Sequence, residues 1–586
     1  MKRYLVTTSD RRLWRSDVAV AFLSAGCVPY ARQSDLQGID YFFFPPYGLG
    51  QEQKDIDHKL TRSIEDFLYS NACPLLNEAL GLNLDRRGWQ IVMGKWLRRF
   101  SDLMINRVNT LKAAIKTGKC TDIEILDIPD PMASRDSLEF VWNTNDPEWN
   151  NRLYGRILEL SETSSLNLHY IPCESVRDTI HYFARGNVIK RTLRILLQWI
   201  HRLFKSLLSS RRVMMLSSYL SSRWETALNV KLGQFPLPYR SLLDYPHKAI
   251  DGELRTRLSG ALAKGQSRDD LVRFIAANLF FEVLPASFLE DSEAIQARPR
   301  RSPWPARPRI IFTSNAFDTD EVFKWYVANQ VARGSKYFVG QHGNNYGTFR
   351  YMYHTNEELV SDCFFTWGWQ GDLKQHRPAF IFKRRPTPPP DSRRDGDLVL
   401  MQLSLPSRFE TWDVVAEHQK YFDDQVAFVS GLSARIKDRL IIRLHRDFRF
   451  HEWDELDRWS ALDPNLHLDT GDVPVDQILL RGRVIVHSYD STGILETLSA
   501  NIPTLAFWQN GYDHLQESAV SDYRELEQVG IIHLSVQSLL HHIEKHWDDL
   551  EEWWRSEPVQ SARGFFCDKY ARTVEGPIAL LTKSFH

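Results

Sequence analysis

The sequence predicts an α/β protein of two doubly wound lobes facing a cleft, with helical insertions in the N-terminal lobe. Three observations predict it. Short apolar runs recur along the chain, each followed by a small-residue polar loop and a helical pattern. The pattern stands on both sides of a Pro- and charge-rich run, KRRPTPPPDSRR, which starts at Lys383. The fullest example is Val484–Phe507, VIVHSYDSTGILETLSANIPTLAF, which reads as strand, hydroxyl-rich turn, helix and second strand. The expected division is 1–382 for the N-terminal lobe, 383–397 for the linker and 398–586 for the C-terminal lobe.

Composition narrows the function. At 586 residues the chain exceeds what one core organises. Its net charge of −1 gives no global basic footprint for nucleic acid. The six cysteines are scattered without a CxxC pair or histidines at zinc spacing, so a structural metal is not expected. No leader pattern and no apolar run of about 18 residues is legible, which suits a cytoplasmic protein.

Taken in order, Tyr4-Leu5-Val6 reads as a strand feeding Thr7-Thr8-Ser9-Asp10, and Val18–Leu23 as a second strand. Ligands of open parallel sheets bind at such strand ends; a helix cap at Thr8 or Ser9 fits as well. Residues 54–116 are helical in period, which makes Trp89, Trp96 and Phe100 core residues. Residues 179–224, expected as a second helical insertion, contain no Asp or Glu. Within them, about 188–212 interleaves Lys and Arg with Leu, Ile, Trp and Phe. That is the pattern of an amphipathic helix on an anionic membrane surface, and equally of a helix with one basic face. Pro308–Asn315 and Tyr337–Gly340 read as strands. The latter ends in Gln341-His342-Gly343-Asn344-Asn345-Tyr346-Gly347, where glycine allows close backbone approach and Gln341 and His342 supply directional hydrogen bonds.

Beyond the linker, Leu398–Gln402 and Leu440–His445 read as strands around a helix at about 411–434. Arg443 and His445 then offer one fixed and one titratable cation. The turn after Val484-Ile485-Val486 brings Ser488, Tyr489, Ser491 and Thr492 to a helix N-terminus, whose unpaired N–H groups and dipole favour an anion. Ser491 is also an ordinary capping residue. Glu496, one turn into the helix, fits a ribose contact or a solvated face.

The motifs LVTTSDRRLW, GWQIVMGKWLRRF, SNAFDTDEVFKW, VGQHGNNYG, FFTWGW, RLHRD and SYDSTGILETLSANIPTLAFW, in this order, span nearly the whole chain. Together they resemble a transferase family of bacterial O-antigen and surface-carbohydrate gene clusters, first noted in spirochaetes. The C-terminal part is more distantly similar to bacterial Kdo transferases of capsule and O-antigen synthesis. Asn344 stands where the family has a second glycine, and Arg446 where it has a proline. The resemblance implies a GT-B-like glycosyltransferase using a CMP-activated Kdo or nonulosonic acid, with a glycan or lipid-linked acceptor facing the N-terminal lobe. The membrane-surface reading of 188–212 would place such a cytoplasmic protein peripherally at the inner face of the cytoplasmic membrane.

On this reading Arg443, His445, Ser488, Tyr489, Ser491, Thr492, Glu496, Gln341 and Gly343 bind the donor. No cofactor or metal is expected. Asp318-Thr319-Asp320 has the spelling of a DxD metal motif, but acids at a helix start are common. The candidates for acceptor base or nucleophile are His342, then Asp318 or Asp10. Two other classes fit the sequence: a CDP-polyol phosphotransferase of teichoic-acid type, and a non-catalytic scaffold of a polysaccharide assembly complex.

Overall fold

The structure is a computed structural model. It describes residues 3–162, 166–176, 212–236, 239–352, 354–386, 395–403, 414–450, 453–508 and 510–586. The chain forms two compact units, one built mainly from Met1–Ser217 and Leu237–Tyr337, the other mainly from Ser218–Pro236, Phe338–Pro406 and Ala416–His586.

In the first unit the strands β1 (Arg3–Val6), β2 (Val20–Phe22), β3 (Tyr41–Phe43), β4 (Cys120–Asp127) and β5 (Asn167–Pro172) form one sheet. Its order is β3-β2-β1-β4-β5, and every pairing is parallel. A second parallel pair joins β6 (Val213–Met215) to β7 (Ile310–Thr313). The region 54–116, read as helical, forms two helices, Gln51–Leu80 and Arg86–Lys116. Gly81, at φ 62°, ends the first in the left-handed conformation that glycine tolerates, and the Asp85 carboxylate caps the second through the Gly88 N–H at 2.7 Å. Trp89, Trp96 and Phe100 are fully buried, as their spacing implied. Trp96 meets Phe140, Phe280 and Phe288 edge-on and stacks on Phe100. Each such ring stabilises the fold by roughly 2–3 kcal/mol through burial.

Most of the stretch 179–224 lies outside the described residues, including nearly all of 188–212. Its described end corrects the helical reading: Val213–Met215 is a buried strand, and a helix begins only at Ser222. Val213-Met214-Met215 is an apolar run too short for its period to separate strand from helix.

In the second unit, β8 (Lys336–Gly340, which starts in the first unit), β9 (Cys363–Thr366) and β10 (His376–Pro378) pair in parallel. A larger sheet comprises β11 (Asp397–Met401), β12 (Leu440–Arg443), β13 (His467–Asp469), β14 (Gly482–His487), β15 (Thr504–Phe507) and β16 (Ile532–His533). Its order is β13-β12-β11-β14-β15-β16, parallel throughout. Counted along the chain this is 3-2-1-4-5-6, the doubly wound order, with its reversal between β11 and β14. Both faces are covered. Leu398, Leu400, Ile442, Val484, Val486, Leu505 and Phe507 pack on one side, and Val399, Ile485 and Ile502 on the other. Double coverage is why these strands read as unbroken apolar runs. The chain is therefore α/β with parallel sheets, and both units contain a sheet whose strand order reverses.

Candidate functional site

The groups with the clearest chemistry lie in the second unit, on loops that leave β8 and β14 at their carboxyl ends. Gly343 and Asn344 dock on the start of the helix Thr492–Ser499: Asn344 donates its backbone N–H to Thr492 Oγ1 at 3.0 Å. A Cβ on Gly343 would stand 2.8 Å from the same hydroxyl, so the contact requires glycine. The Asn344 amide donates to Asp490 Oδ1 at 2.7 Å, and Asp490 Oδ2 lies 3.0 Å from His514 Nε2. An antiparallel bridge between Phe349 and Leu515 fastens the end of the loop.

This loop presents His342. Its Nδ1 lies 2.9 Å from Tyr346 Oη, and Tyr346 donates in turn to Glu357 through a short hydrogen bond. Tyr346 and Glu357 are buried. Because the phenol gives its only proton to the carboxylate, it must accept from Nδ1–H. The imidazole lone pair therefore resides on Nε2, the arrangement of a general base.

The other predicted residues are placed as follows. Gln341 holds its own loop: it donates to the Gly343 carbonyl at 2.8 Å and accepts from Trp367 N and Trp369 Nε1. Ser488 lies 3.1 Å from the Met401 carbonyl and 3.0 Å from Tyr421 Oη, bridging β11 and β14 at the reversal of strand order. The Tyr489 ring meets Tyr421 edge-on. Ser491 is the N-cap residue but makes no side-chain capping bond. Glu496 accepts Arg385, which also binds Asp476.

Arg443 forms a short ion pair with Asp469, its register partner on β13, so its charge is already matched. His445 accepts from the Asp447 N–H at 3.2 Å, and burial holds its pKa below the usual imidazole value. Nearby, burial pushes the Glu455 carboxyl up to about 7, and the fully buried His418, lowered to about 3, stacks on Trp453 at 3.9 Å. Asp10 and Asp318 belong to the first unit. Asp10 caps a short helix and holds Arg12, which also reaches Glu148, while Asp318 pairs with Arg99 at 2.7 Å. Asp320 caps the helix Glu321–Val331. Both acids of the DxD spelling are thus committed. Among the described residues no cluster of three His, Cys, Asp or Glu side chains is arranged to hold a metal.

Sequence reasoning passed over Tyr346, Glu357, Asp490, His514 and Lys383. Lys383 opens the stretch read as a linker, yet its ammonium lies 4.2 Å from the centroid of the Tyr219 ring, and that ring meets His342 edge-on at 6.4 Å. Burial lowers the Lys383 pKa, with Arg385 adding to the effect and Glu496 opposing it.

A parallel, doubly wound sheet with polar groups gathered beyond its carboxyl edge is the arrangement in which open α/β folds place their ligand sites. The chain belongs to the LIC12162 family of transferases, whose model matches residues 3–585. No curated protein matches it significantly. Among solved structures it is similar to UDP-GlcNAc 2-epimerase from Neisseria meningitidis bound to UDP-GlcNAc, at 10% identity and a TM-score of 0.31 over 76% of this chain and 99% of that one. It is also similar to MurG from Acinetobacter baumannii, at 8% identity and TM-score 0.30 over 64% and 99%. Among the described residues no helix is long and apolar enough to cross a membrane.

Proposed function

We propose that this transferase is a GT-B glycosyltransferase of bacterial surface-polysaccharide synthesis. In this reading it moves a CMP-activated Kdo or nonulosonic acid to a glycan or lipid-linked acceptor at the inner face of the cytoplasmic membrane. Family membership and the motif resemblance support the class. The observation that carries the reading is the His342–Tyr346–Glu357 relay, mounted on the loop that docks at Thr492.

The relay supplies the chemistry. The acceptor hydroxyl oxygen forms a bond to the anomeric carbon while the bond from that carbon to the phosphate oxygen breaks. The hydroxyl proton passes to His342 Nε2, and CMP leaves with the bonding electron pair. The helix N-terminus at Ser491–Thr492 and the side chain of His445 meet the leaving phosphate. Arg443, paired with Asp469, supports the strand end that carries His445.

Incubation of the full chain with CMP-N-acetylneuraminate and a lipid-linked glycan fraction, followed by assay of released CMP, tests the reading. Acceptor-dependent CMP release by wild type, lost in His342→Ala, is the expected result. Acceptor-dependent release of UDP or GDP from other donors would keep glycosyl transfer and discard the CMP donor. Transfer of a polyol phosphate from a CDP-polyol would replace the reading.

A further inference from the structure

Lys383 is a cation of the second unit that takes no part in the relay. Its ammonium is half-buried over the Tyr219 ring. Among the described residues no carboxylate lies within ion-pair distance of it. Glu496, whose charge it feels, is bonded to Arg385, and so is Asp476. Arg385 is therefore matched twice over while Lys383 rests on a ring face. A cation–π contact offsets only part of what a half-buried ammonium loses in leaving water.

Tyr219 adds a second, independent observation. It sits at φ 62°, a left-handed conformation that costs an L residue energy and persists where the surroundings impose it. That conformation gives one ring two contacts, the Lys383 ammonium and the edge of His342. A strained aromatic residue thus ties an unmatched cation to the imidazole that carries the relay.

We propose that Lys383, carried on Tyr219, binds an oxyanion of the donor beside His342: the carboxylate of the transferred sugar acid or the phosphate of the nucleotide. The inference rests on the reading of the chain as a nucleotide-sugar transferase and names a specificity residue for it. An ammonium is a compact charge that one oxyanion satisfies, whereas Arg385 is held away by its two carboxylates.

Calorimetric titration of the full chain with CMP and with CMP-N-acetylneuraminate, for wild type, Lys383→Met and Lys383→Arg, tests it alongside thermal melting without ligand. Lys383→Met is expected to melt within about 2 °C of wild type, because it removes a cation that lacks an anionic partner. It is expected to bind CMP-N-acetylneuraminate at least about tenfold more weakly, with Lys383→Arg in between. If CMP affinity is unchanged, the bound group is the sugar carboxylate; an equal loss for CMP makes it the phosphate. Wild-type affinity for both probes in Lys383→Met overturns the inference while leaving the transferase reading in place. A lowered melting temperature with unchanged affinity shows a packing role and overturns it too. Failure of the wild type to bind either probe overturns the reading and the inference together.

Discussion

Tyr346 Oη stands 2.9 Å from His342 Nδ1 and gives its own proton to Glu357, so a buried carboxylate decides which imidazole nitrogen carries the lone pair. Replacing Tyr346 by Phe removes the acceptor for Nδ1–H and frees the ring to take the other tautomer. The expected result is a loss of roughly 10–10²-fold in kcat with KM little changed, and His342→Ala should cost on the order of 10²–10⁴-fold. Steady-state kinetics on the two variants checks both values. A Tyr346→Phe enzyme impaired only in KM would remove the relay from the mechanism.

Arg443 and Asp469 predict a stability effect. Both side chains are buried and each is the other's charge partner, so Arg443→Met leaves an uncompensated carboxylate. A destabilisation of about 3–5 kcal/mol is expected by urea unfolding. Asp469→Asn should cost a similar amount by stranding the guanidinium. A stable Arg443→Met protein with selectively weakened nucleotide binding would return Arg443 to the donor site.

Glu455 sets a pH dependence. Burial raises its carboxyl to about 7, with His445 and Arg458 opposing the shift and His418 lying 3.7 Å away. The folded state binds the proton more tightly than the unfolded chain does. Stability from this group is therefore full below the unfolded value and is lost as pH rises through about 7. Glu455→Gln should accordingly gain on the order of 1–3 kcal/mol over wild type at pH 8, shrinking towards zero near pH 4.5. Paired melts across that range read the difference, in which the opposite contribution of His445 cancels if its environment is unchanged.

Thr492 and Gly343 predict a coupling between loop and helix. Thr492→Val strands the Asn344 N–H and should cost about 1–2 kcal/mol. Gly343→Ala forces a methyl to within 2.8 Å of the Thr492 hydroxyl. Its cost should fall by at least about half in the Thr492→Ser,Gly343→Ala pair only if the threonine methyl, not the hydroxyl, creates the crowding, so an unchanged cost in that double variant is the expected result.

Much of this architecture is legible in the sequence because β11, β12, β14 and β15 are covered on both faces and appear as plain apolar runs. The three-residue strand β13, His467-Leu468-Asp469, has no such run, and missing it hid the partner of Arg443. The QHGNNYG loop and the Thr492 helix start are recognisable by composition. Their contact is not, since Asn344, Asp490 and His514 come from three distant segments. Lys383 was masked by its neighbours: Pro and Arg after it read as a linker, and nothing local signals the Tyr219 ring beneath it.

On the proposed function, the second unit binds a cytidine nucleotide at the start of the Thr492–Ser499 helix. Thermal-shift titration with CMP, CDP, UDP and GDP, wild type beside Ser491→Ala and His445→Ala, tests it most directly, because a ligand of the native state raises the melting temperature by mass action. A selective rise with CMP that both substitutions diminish is the expected result. Equal melting temperatures with and without every nucleotide would contradict it.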